Sequence, residues 1–227
     1  MTNSDVHYLV NFLKNKNIPT ITKEYHTYLT FHGLKAANVF ILKKGIIKTS
    51  VILQDGREFN ISYISQPDVI SLLHDEALQY DEQPFNVRIE SDNATFYQIN
   101  RVKFWEYVNS DQGLQNYVKQ YYRHRLSENF SRLQRLTMNG RLGALANFLK
   151  DMSLKFGAKI PGTNKILIDF IVTNEDIAGF CSIANYTSVS RMLRNLKSTD
   201  VIEFNNINGR RRIVIKNIQK LNDLIAY

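Results

Sequence analysis

Residues 173–197 contain two short helical segments separated by a tight turn, and this pattern restricts the fold more than any other part of the sequence. Thr173 stands before Glu175 and Asp176, as expected at a helix N-terminus, where a hydroxyl caps backbone N–H groups and negative charge complements the helix dipole. Small residues dominate 181–185, which favours a turn where two helices approach closely. The stretch therefore predicts a helix-turn-helix.

The second of these helices, predicted over 186–197, is amphipathic. Val189, Leu193 and Leu196 recur at i, i+4 and i+7, so they line one face and pack on a domain core. The opposite face carries small hydroxyl groups and basic side chains, which suits the major groove of DNA. The planar guanidinium of Arg191 can bond O6 and N7 of one guanine together, whereas the basic residues further along would lie near phosphates.

A basic hairpin is predicted directly after the second helix. Apolar runs at 201–204 and 212–215 predict its strands, and its tip spans 205–211. A hairpin in this position is typical of the wing of a winged helix, and the plainer alternative is a helix pair with a solvated polar face. The predicted DNA contacts are Thr173, Tyr186, Thr187, Ser188, Ser190, Arg191, Arg194, Lys197, Arg210 and Arg211.

The charge distribution favours a polyanionic partner. The net charge is +8, and residues 138–227 carry 13 Lys and Arg against 7 Asp and Glu, whereas the preceding residues carry 16 against 14. A basic excess of this kind suits nucleic acid or an anionic membrane surface. No stretch approaches the roughly 18 consecutive apolar residues of a membrane helix, and no signal peptide is recognisable, so we expect a cytoplasmic protein without membrane contact. The single cysteine, Cys181, excludes an intrachain disulfide.

The N-terminal part, residues 1–112, predicts a short helix followed by a β-roll. Apolar residues at helical spacing mark the helix, which ends before Pro19. Between residues 21 and 99, β-branched and aromatic residues form short runs separated by turn signals such as Asp55-Gly56. Many short strands at this spacing favour a jelly roll. The predicted strands of the roll and the predicted helices of the C-terminal part together indicate an α+β fold class.

A long helix is predicted over 113–137, because no glycine or proline falls between Gly113 and Gly140. It would be about 37 Å long. Its apolar stripe is narrow, which favours an interface between two copies of the helix in a homodimer, and the alternative is packing on its own domain. The C-terminal DNA-binding domain then covers 138–227. The predicted seam consists of Leu114, Val118, Tyr121, Leu126, Leu133 and Leu136.

In these features the chain resembles the Crp/Fnr superfamily of bacterial transcription regulators, and within it the PrfA-like branch. The resemblance rests on Val39-Phe40-Ile41-Leu42-Lys43-Lys44-Gly45, on Thr173-x-x-Asp176-Ile177-Ala178 and on Ser188-Val189-Ser190-Arg191-Met192-Leu193. It implies an effector-sensing, cyclic-nucleotide-binding-like β-roll, a dimerisation helix, and a winged helix-turn-helix that reads bases with Thr187 and Arg191. It also implies a homodimer on a palindromic double-stranded DNA site, RNA polymerase as a partner, and activation of transcription.

One stretch departs from the cyclic-nucleotide-binding members, which hold ribose and phosphate with a Gly-Glu turn and an Arg-Ser/Thr pair. Here it reads Gln66-Pro67-Asp68-Val69-Ile70-Ser71-Leu72 and then Gln83-Pro84-Phe85, so we expect no control by cyclic AMP. We interpret Arg88, on a strand, as a surface or structural residue. The resemblance leaves room for glutathione or another small effector as a cofactor. Cys181 is predicted to be a buried core residue rather than a redox switch.

Two other classes of function, a cupin enzyme and a cyclic-nucleotide-like signalling module, explain fewer of the sequence features than a DNA-binding regulator does. A cupin enzyme would need clustered histidines, and the chain has no His-x-His, no P-loop and no Gly-x-Ser-x-Gly, so we predict no catalytic residue and no metal ligand. A cyclic-nucleotide-like module that regulates a protein partner would leave the winged helix without a role. Both are alternatives to a DNA-binding regulator.

Overall fold

The chain forms two compact units, which divide between residues 128 and 129, except that residues 57–59 belong with the second unit. The predicted division into 1–112, 113–137 and 138–227 follows the sequence elements, and it stays a prediction. The computed structural model describes residues 3–71, 73, 81–138 and 140–225.

Short strands follow the first helix, as expected for a β-roll. Their bounds are β1 Thr20–Glu24, β2 Tyr28–Thr30, β3 Lys35–Ala36, β4 Asn38–Lys44, β5 Ile47–Ile52, β6 Glu58–Ile64, β7 Asp68–Val69, β8 Asp81–Glu82, β9 Asn86–Ile89 and β10 Asn93–Asn100. One antiparallel sheet has the order β1-β10-β4-β7, a second sheet has the order β2-β9-β5-β6, and β3 pairs with β8. The Asp55-Gly56 turn lies between β5 and β6, as predicted.

Apolar residues from both sheets form one buried cluster, which includes Leu42, Val87 and Phe96. They come together because side chains alternate between the two faces of a strand. The link between β4 and β5 depends on Gly45, whose φ is 109°. A Cβ atom at this position would lie 2.7 Å from the Cα of Ala94, so only glycine fits the close approach of the two backbones.

Three helices accompany the roll: α1 Asn3–Asn15, α2 Arg101–Ser110 and α3 Gln112–Met138. A second buried cluster packs α1 through Leu9 and Leu13 against residues of β4, β10, α2 and α3. The spacing of apolar residues does not predict α2. Its start is marked by Asn100, whose side-chain oxygen accepts hydrogen bonds from the backbone N–H groups of Val102 and Lys103.

The predicted dimer seam is wrong for the N-terminal half of α3. Three of the predicted residues are buried in the chain's own core, because they face α1 and the roll: Leu114, Val118 and Tyr121. The side chain of Leu136 lies outside the described residues. The large apolar residues that α3 exposes within its described part are Tyr122, Leu126, Phe130 and Leu133, here called the α3 stripe. At about 100° per residue these four span about 80° of the helix surface, beside the buried face.

The second unit consists mainly of the C-terminal elements. Their bounds are α4 Gly140–Phe156, β11 Gly157–Lys159, β12 Ile166–Ile168, α5 Asn174–Cys181, α6 Tyr186–Ser198, β13 Ile202–Ile207, β14 Arg210–Ile215 and α7 Ile218–Asp223. The strands form an antiparallel sheet in the order β11-β12-β14-β13. Buried residues of the helices and the sheet, such as Leu149, Ile177 and Val214, form the core of this unit. Among the described helices, none combines the length and the apolar character that a membrane crossing requires.

Candidate nucleic-acid interface

Helix α5 begins with the cap that the sequence predicts. The hydroxyl of Thr173 accepts a hydrogen bond from the backbone N–H of Asp176 at 3.0 Å and donates one to the Asp176 carboxylate at 2.8 Å. That carboxylate also accepts from the backbone N–H of Thr173 at 3.3 Å, which completes a capping box. Although Thr173 is a predicted DNA contact, its hydroxyl is thus already engaged within the chain.

The turn between α5 and α6 is formed by residues 182–185. Ser182 adopts a left-handed conformation with φ 54°, which ends α5. Asn185 then caps α6, because its side-chain oxygen accepts from the backbone N–H of Ser188 at 2.9 Å and from the hydroxyl of Thr187 at 2.8 Å. The Thr187 oxygen keeps lone pairs with which it can accept a hydrogen bond from a base.

Helix α6 separates its two faces as predicted. Val189, Leu193 and Leu196 are buried, whereas Arg191 and Arg194 are exposed on the other side. No hydrogen bond or ion pair joins Arg191 to another residue in the described ranges. Its guanidinium donors are therefore available to a ligand, and its fork geometry matches a guanine edge or a phosphate. The other predicted contacts of this helix are half-buried at Ser188 and Ser190 and exposed at Tyr186, Thr187 and Lys197.

The wing is a longer hairpin than the sequence pattern indicates. Strands β13 and β14 continue to Ile207 and from Arg210, so the tip is the two-residue turn Asn208-Gly209 and not the predicted 205–211. Asn208 has φ 52° and Gly209 has φ 73°. Positive φ at both positions is typical of a type I′ turn, which matches the twist of paired strands and lets the ladder extend to the turn itself.

The three arginines beside this turn have different surroundings. Arg210 is exposed next to the turn. Arg211 donates from Nη2 to the side-chain oxygen of Asn174 at 2.8 Å, which ties the wing to the first residue of α5. Arg212 has a side chain only 14% exposed, and its Nε lies 3.6 Å from the Asp169 carboxylate. Arg210 and Arg211 are therefore placed to reach a ligand, and Arg212 belongs to the sheet.

The base of the wing is held close to the end of α6. The Lys216 ammonium of the segment after β14 donates a hydrogen bond to Asp200, which follows α6, and this bond lowers the pKa of the Asp200 carboxyl. Lys165 donates to the Glu203 carboxylate of β13 at 2.9 Å. These contacts connect the helix, the wing and the loop before β12 at several points, so the second unit presents α6 and the wing together.

Cys181 is buried at the end of α5, as predicted. Burial raises the pKa of its thiol to about 12, although the positive charge of Arg132 acts in the opposite direction. A thiol with this pKa is almost entirely protonated at neutral pH, and the thiolate is the form that reacts. Its surroundings are those of a structural cysteine.

In the first unit, the stretch that departs from the cyclic-nucleotide-binding members contains an ion pair. The Asp68 carboxylate accepts hydrogen bonds from Arg125 of α3 at 2.7 Å and from the hydroxyl of Tyr117 at 2.9 Å. Arg88 donates to Glu90 at 2.8 Å on the same strand end, which fits the structural role expected for it. Leu72 and residues 74–80 lie outside the described residues.

Three residues of this interface are missed by the sequence patterns: Asn174, Asn185 and Phe204. A signal exists for Asn185, because asparagine three residues before Ser188 is a common N-cap. No local signal identifies Asn174, whose partner Arg211 is 37 positions away. Phe204 has the sequence pattern of an ordinary strand residue, and only the register of the hairpin shows that it lies beside Arg211.

The comparisons with known proteins agree with this geometry. A family model described as the Crp-like helix-turn-helix domain matches residues 143–224. The lactate racemization regulatory protein of Lactiplantibacillus plantarum is 54% identical over all of both chains. The listeriolysin regulatory protein of Listeria monocytogenes is 26% identical, with 73% of this chain and 69% of that protein covered.

Solved structures show the same fold. A mutant of CooA from Carboxydothermus hydrogenoformans superimposes with a TM-score of 0.76 at 17% identity, covering 100% of this chain and 98% of that one. The predicted fold class, an N-terminal β-roll, a long helix and a C-terminal helix-turn-helix, is therefore confirmed. The chain belongs to the Crp/Fnr superfamily of transcription regulators, and its C-terminal part is the helix-turn-helix DNA-binding domain of that family.

Proposed function

We propose that the chain is a homodimeric activator that controls genes of lactate racemisation by binding a palindromic DNA site. The observation that carries this proposal is the 54% identity, over the whole chain, with a regulator named for lactate racemization. Chains this similar over their whole length are expected to read related sites. The protein acts in the cytoplasm, through binding and without catalysis.

In this proposal, α6 enters the major groove and Arg191 reads a base edge. The support is that Arg191 is exposed on the face opposite Val189 and Leu193 and has no partner in the described part of the chain. Thr187 accepts from a neighbouring base, and the small side chains at Ser188 and Ser190 let the helix approach the groove floor. The proposed phosphate contacts are Arg194, Lys197, Arg210 and Arg211.

The α3 stripe is the proposed dimer seam. Leu126 is 70% exposed and Phe130 is 63% exposed, although both are large apolar side chains on a helix. Apolar residues spaced three and four apart on a long helix are typical of a two-helix interface. Pairing of α3 with the same helix of a second copy would cover them, and the resulting dimer would have two α6 helices, one for each half of a palindrome.

Cyclic AMP is not the proposed effector. The support is that Asp68, in the stretch that differs from the cyclic-nucleotide-binding members, is occupied by Arg125 and Tyr117 of the same chain. By family resemblance, glutathione or another small molecule is the alternative effector. As an activator, the dimer would contact RNA polymerase from its DNA site.

The test is a footprint on the DNA upstream of the lactate racemisation genes of the same genome, with an unrelated upstream region as the control. We expect protection of two half-sites about one helical turn, or about 10 base pairs, apart. Equal binding to both regions would contradict the assigned target. Binding by a single monomer to one half-site would contradict the dimer.

A further inference from the structure

The aromatic ring of Phe204, on β13, contacts two cations of the DNA-binding unit. The Nζ of Lys197 is 5.7 Å from the ring centroid, and the Cζ of Arg211 is 4.8 Å from it. Both distances fall within the range in which a cation is attracted to the face of an aromatic ring. One cation comes from the exposed face of α6 and the other from the wing, so the ring joins the two elements proposed to touch DNA.

The hairpin register explains how Arg211 reaches the ring. Phe204 is paired with Ile213, so Arg211, two positions before Ile213, is the diagonal neighbour of Phe204 on the same face of the sheet. Arg212 points to the other face, where Asp169 lies, and cannot replace it. The Asn-Gly turn at 208–209 sets this register, because it fixes which residues of β13 and β14 face each other.

A second contact fixes the orientation of the Arg211 guanidinium. Its Nη2 donates to the side-chain oxygen of Asn174 at 2.8 Å, at the start of α5. A guanidinium has five N–H donors, so this bond and the ring leave the others free to bind a phosphate. Long basic side chains lose conformational freedom on binding, and a side chain that is already ordered loses less.

We propose that Phe204 is a positioning residue for DNA binding: its ring holds Lys197 and Arg211 at one place on the surface, ready for backbone phosphates of the site. The proposal rests on the proposed function, since it assumes that these two cations contact phosphate. Two like charges near one ring also repel each other, and a bound phosphate reduces that repulsion. The ring therefore contributes to affinity for any DNA sequence and leaves sequence preference unchanged.

The test compares Phe204→Leu, which keeps an apolar side chain and removes the ring, with Phe204→Trp, which keeps a ring. Affinity for a specific and a scrambled duplex is measured for each variant in the full-length protein, and thermal unfolding is recorded alongside. Two cation–ring contacts predict that Phe204→Leu weakens binding to both duplexes by about 5- to 30-fold per half-site. Phe204→Trp should bind as wild type does.

A double-mutant cycle separates positioning from a packing role. In a Lys197→Gln, Arg211→Gln background, Phe204→Leu should change affinity by less than about twofold, because no cation is left to position. If Phe204→Leu weakens binding equally in both backgrounds, or if Phe204→Trp fails to bind, the ring acts only in packing and the inference is overturned. If the double Gln variant binds DNA as wild type does, Lys197 and Arg211 do not bind phosphate. The proposed positioning role of the Phe204 ring is then also contradicted.

Discussion

Replacement of Leu126 by aspartate should separate the dimer. Leu126 is 70% exposed on α3, and burial of a whole leucine side chain contributes about 1.5–3 kcal/mol. Covering the exposed fraction is then worth about 1–2 kcal/mol per chain, and symmetry doubles this to about 2–4 kcal/mol per dimer. The loss corresponds to a dimer dissociation constant raised by about 30- to 1,000-fold, before any cost of burying the new charge is added.

The measurement is sedimentation velocity over a dilution series of the full-length protein, with DNA affinity determined on the same samples. The matched control is Leu154→Asp, because Leu154 is a leucine 77% exposed on α4, a helix that carries no residue of the α3 stripe. We expect the control to keep the wild-type dissociation constant. A Leu126→Asp protein that dimerises as tightly as wild type, or a control that is equally weakened, would refute the assignment of the seam to α3.

Individual side chains outside the seam give three further predictions. Cys181, with its pKa raised to about 12, should resist a thiol reagent at pH 8 in the folded protein and react fully in denaturant, and fast reaction of the native protein would contradict a structural role. Thr173→Ala should lower the free energy of unfolding by about 1 kcal/mol because the α5 cap is removed, while Thr173→Ser keeps it, as denaturant titration can show. Cyclic AMP should give no heat of binding in calorimetry and no rise in melting temperature, because the Gly-Glu turn and the Arg-Ser/Thr pair are absent and Asp68 is paired with Arg125, and micromolar binding would contradict this.

The DNA-binding part of the fold is largely predictable from the sequence, because its signals are local. The cap at Thr173, the small residues of the turn and the spacing of Val189 and Leu193 each follow from contacts within a few residues. The length of the wing is misjudged because the polar residues Asn205 and Asn206 are typical of a loop. The Asn-Gly turn at 208–209 is itself a local signal, and it shows that the strands continue to the turn.

The α3 seam is predicted only in part, for a reason that lies in long-range packing. Leu114 and Leu126 both belong to the predicted seam, but the former faces the core of its own chain and the latter is exposed. Periodicity identifies apolar residues without saying which surface covers them. The same limit applies to Arg211 and Arg212. Alternation along the strand predicts that they lie on opposite faces of the sheet. It does not predict their partners Asn174 and Asp169, because these residues are brought close by the tertiary fold.

Base reading by α6 and phosphate binding by the wing can be separated in one set of titrations. Affinity is measured for the preferred and a scrambled duplex at several salt concentrations, for wild type, Arg191→Ala and a double variant with glutamine at Arg210 and Arg211. Arg191→Ala should cost about 1–3 kcal/mol per half-site on the preferred duplex and blur the preference at one base pair. The wing variant should weaken both duplexes alike and reduce the slope of log affinity against log salt by up to ~0.9 for each phosphate that the protein no longer neutralises. Equal losses on both duplexes for Arg191→Ala, together with a changed sequence preference for the wing variant, would contradict the assignment of α6 as the helix that reads DNA.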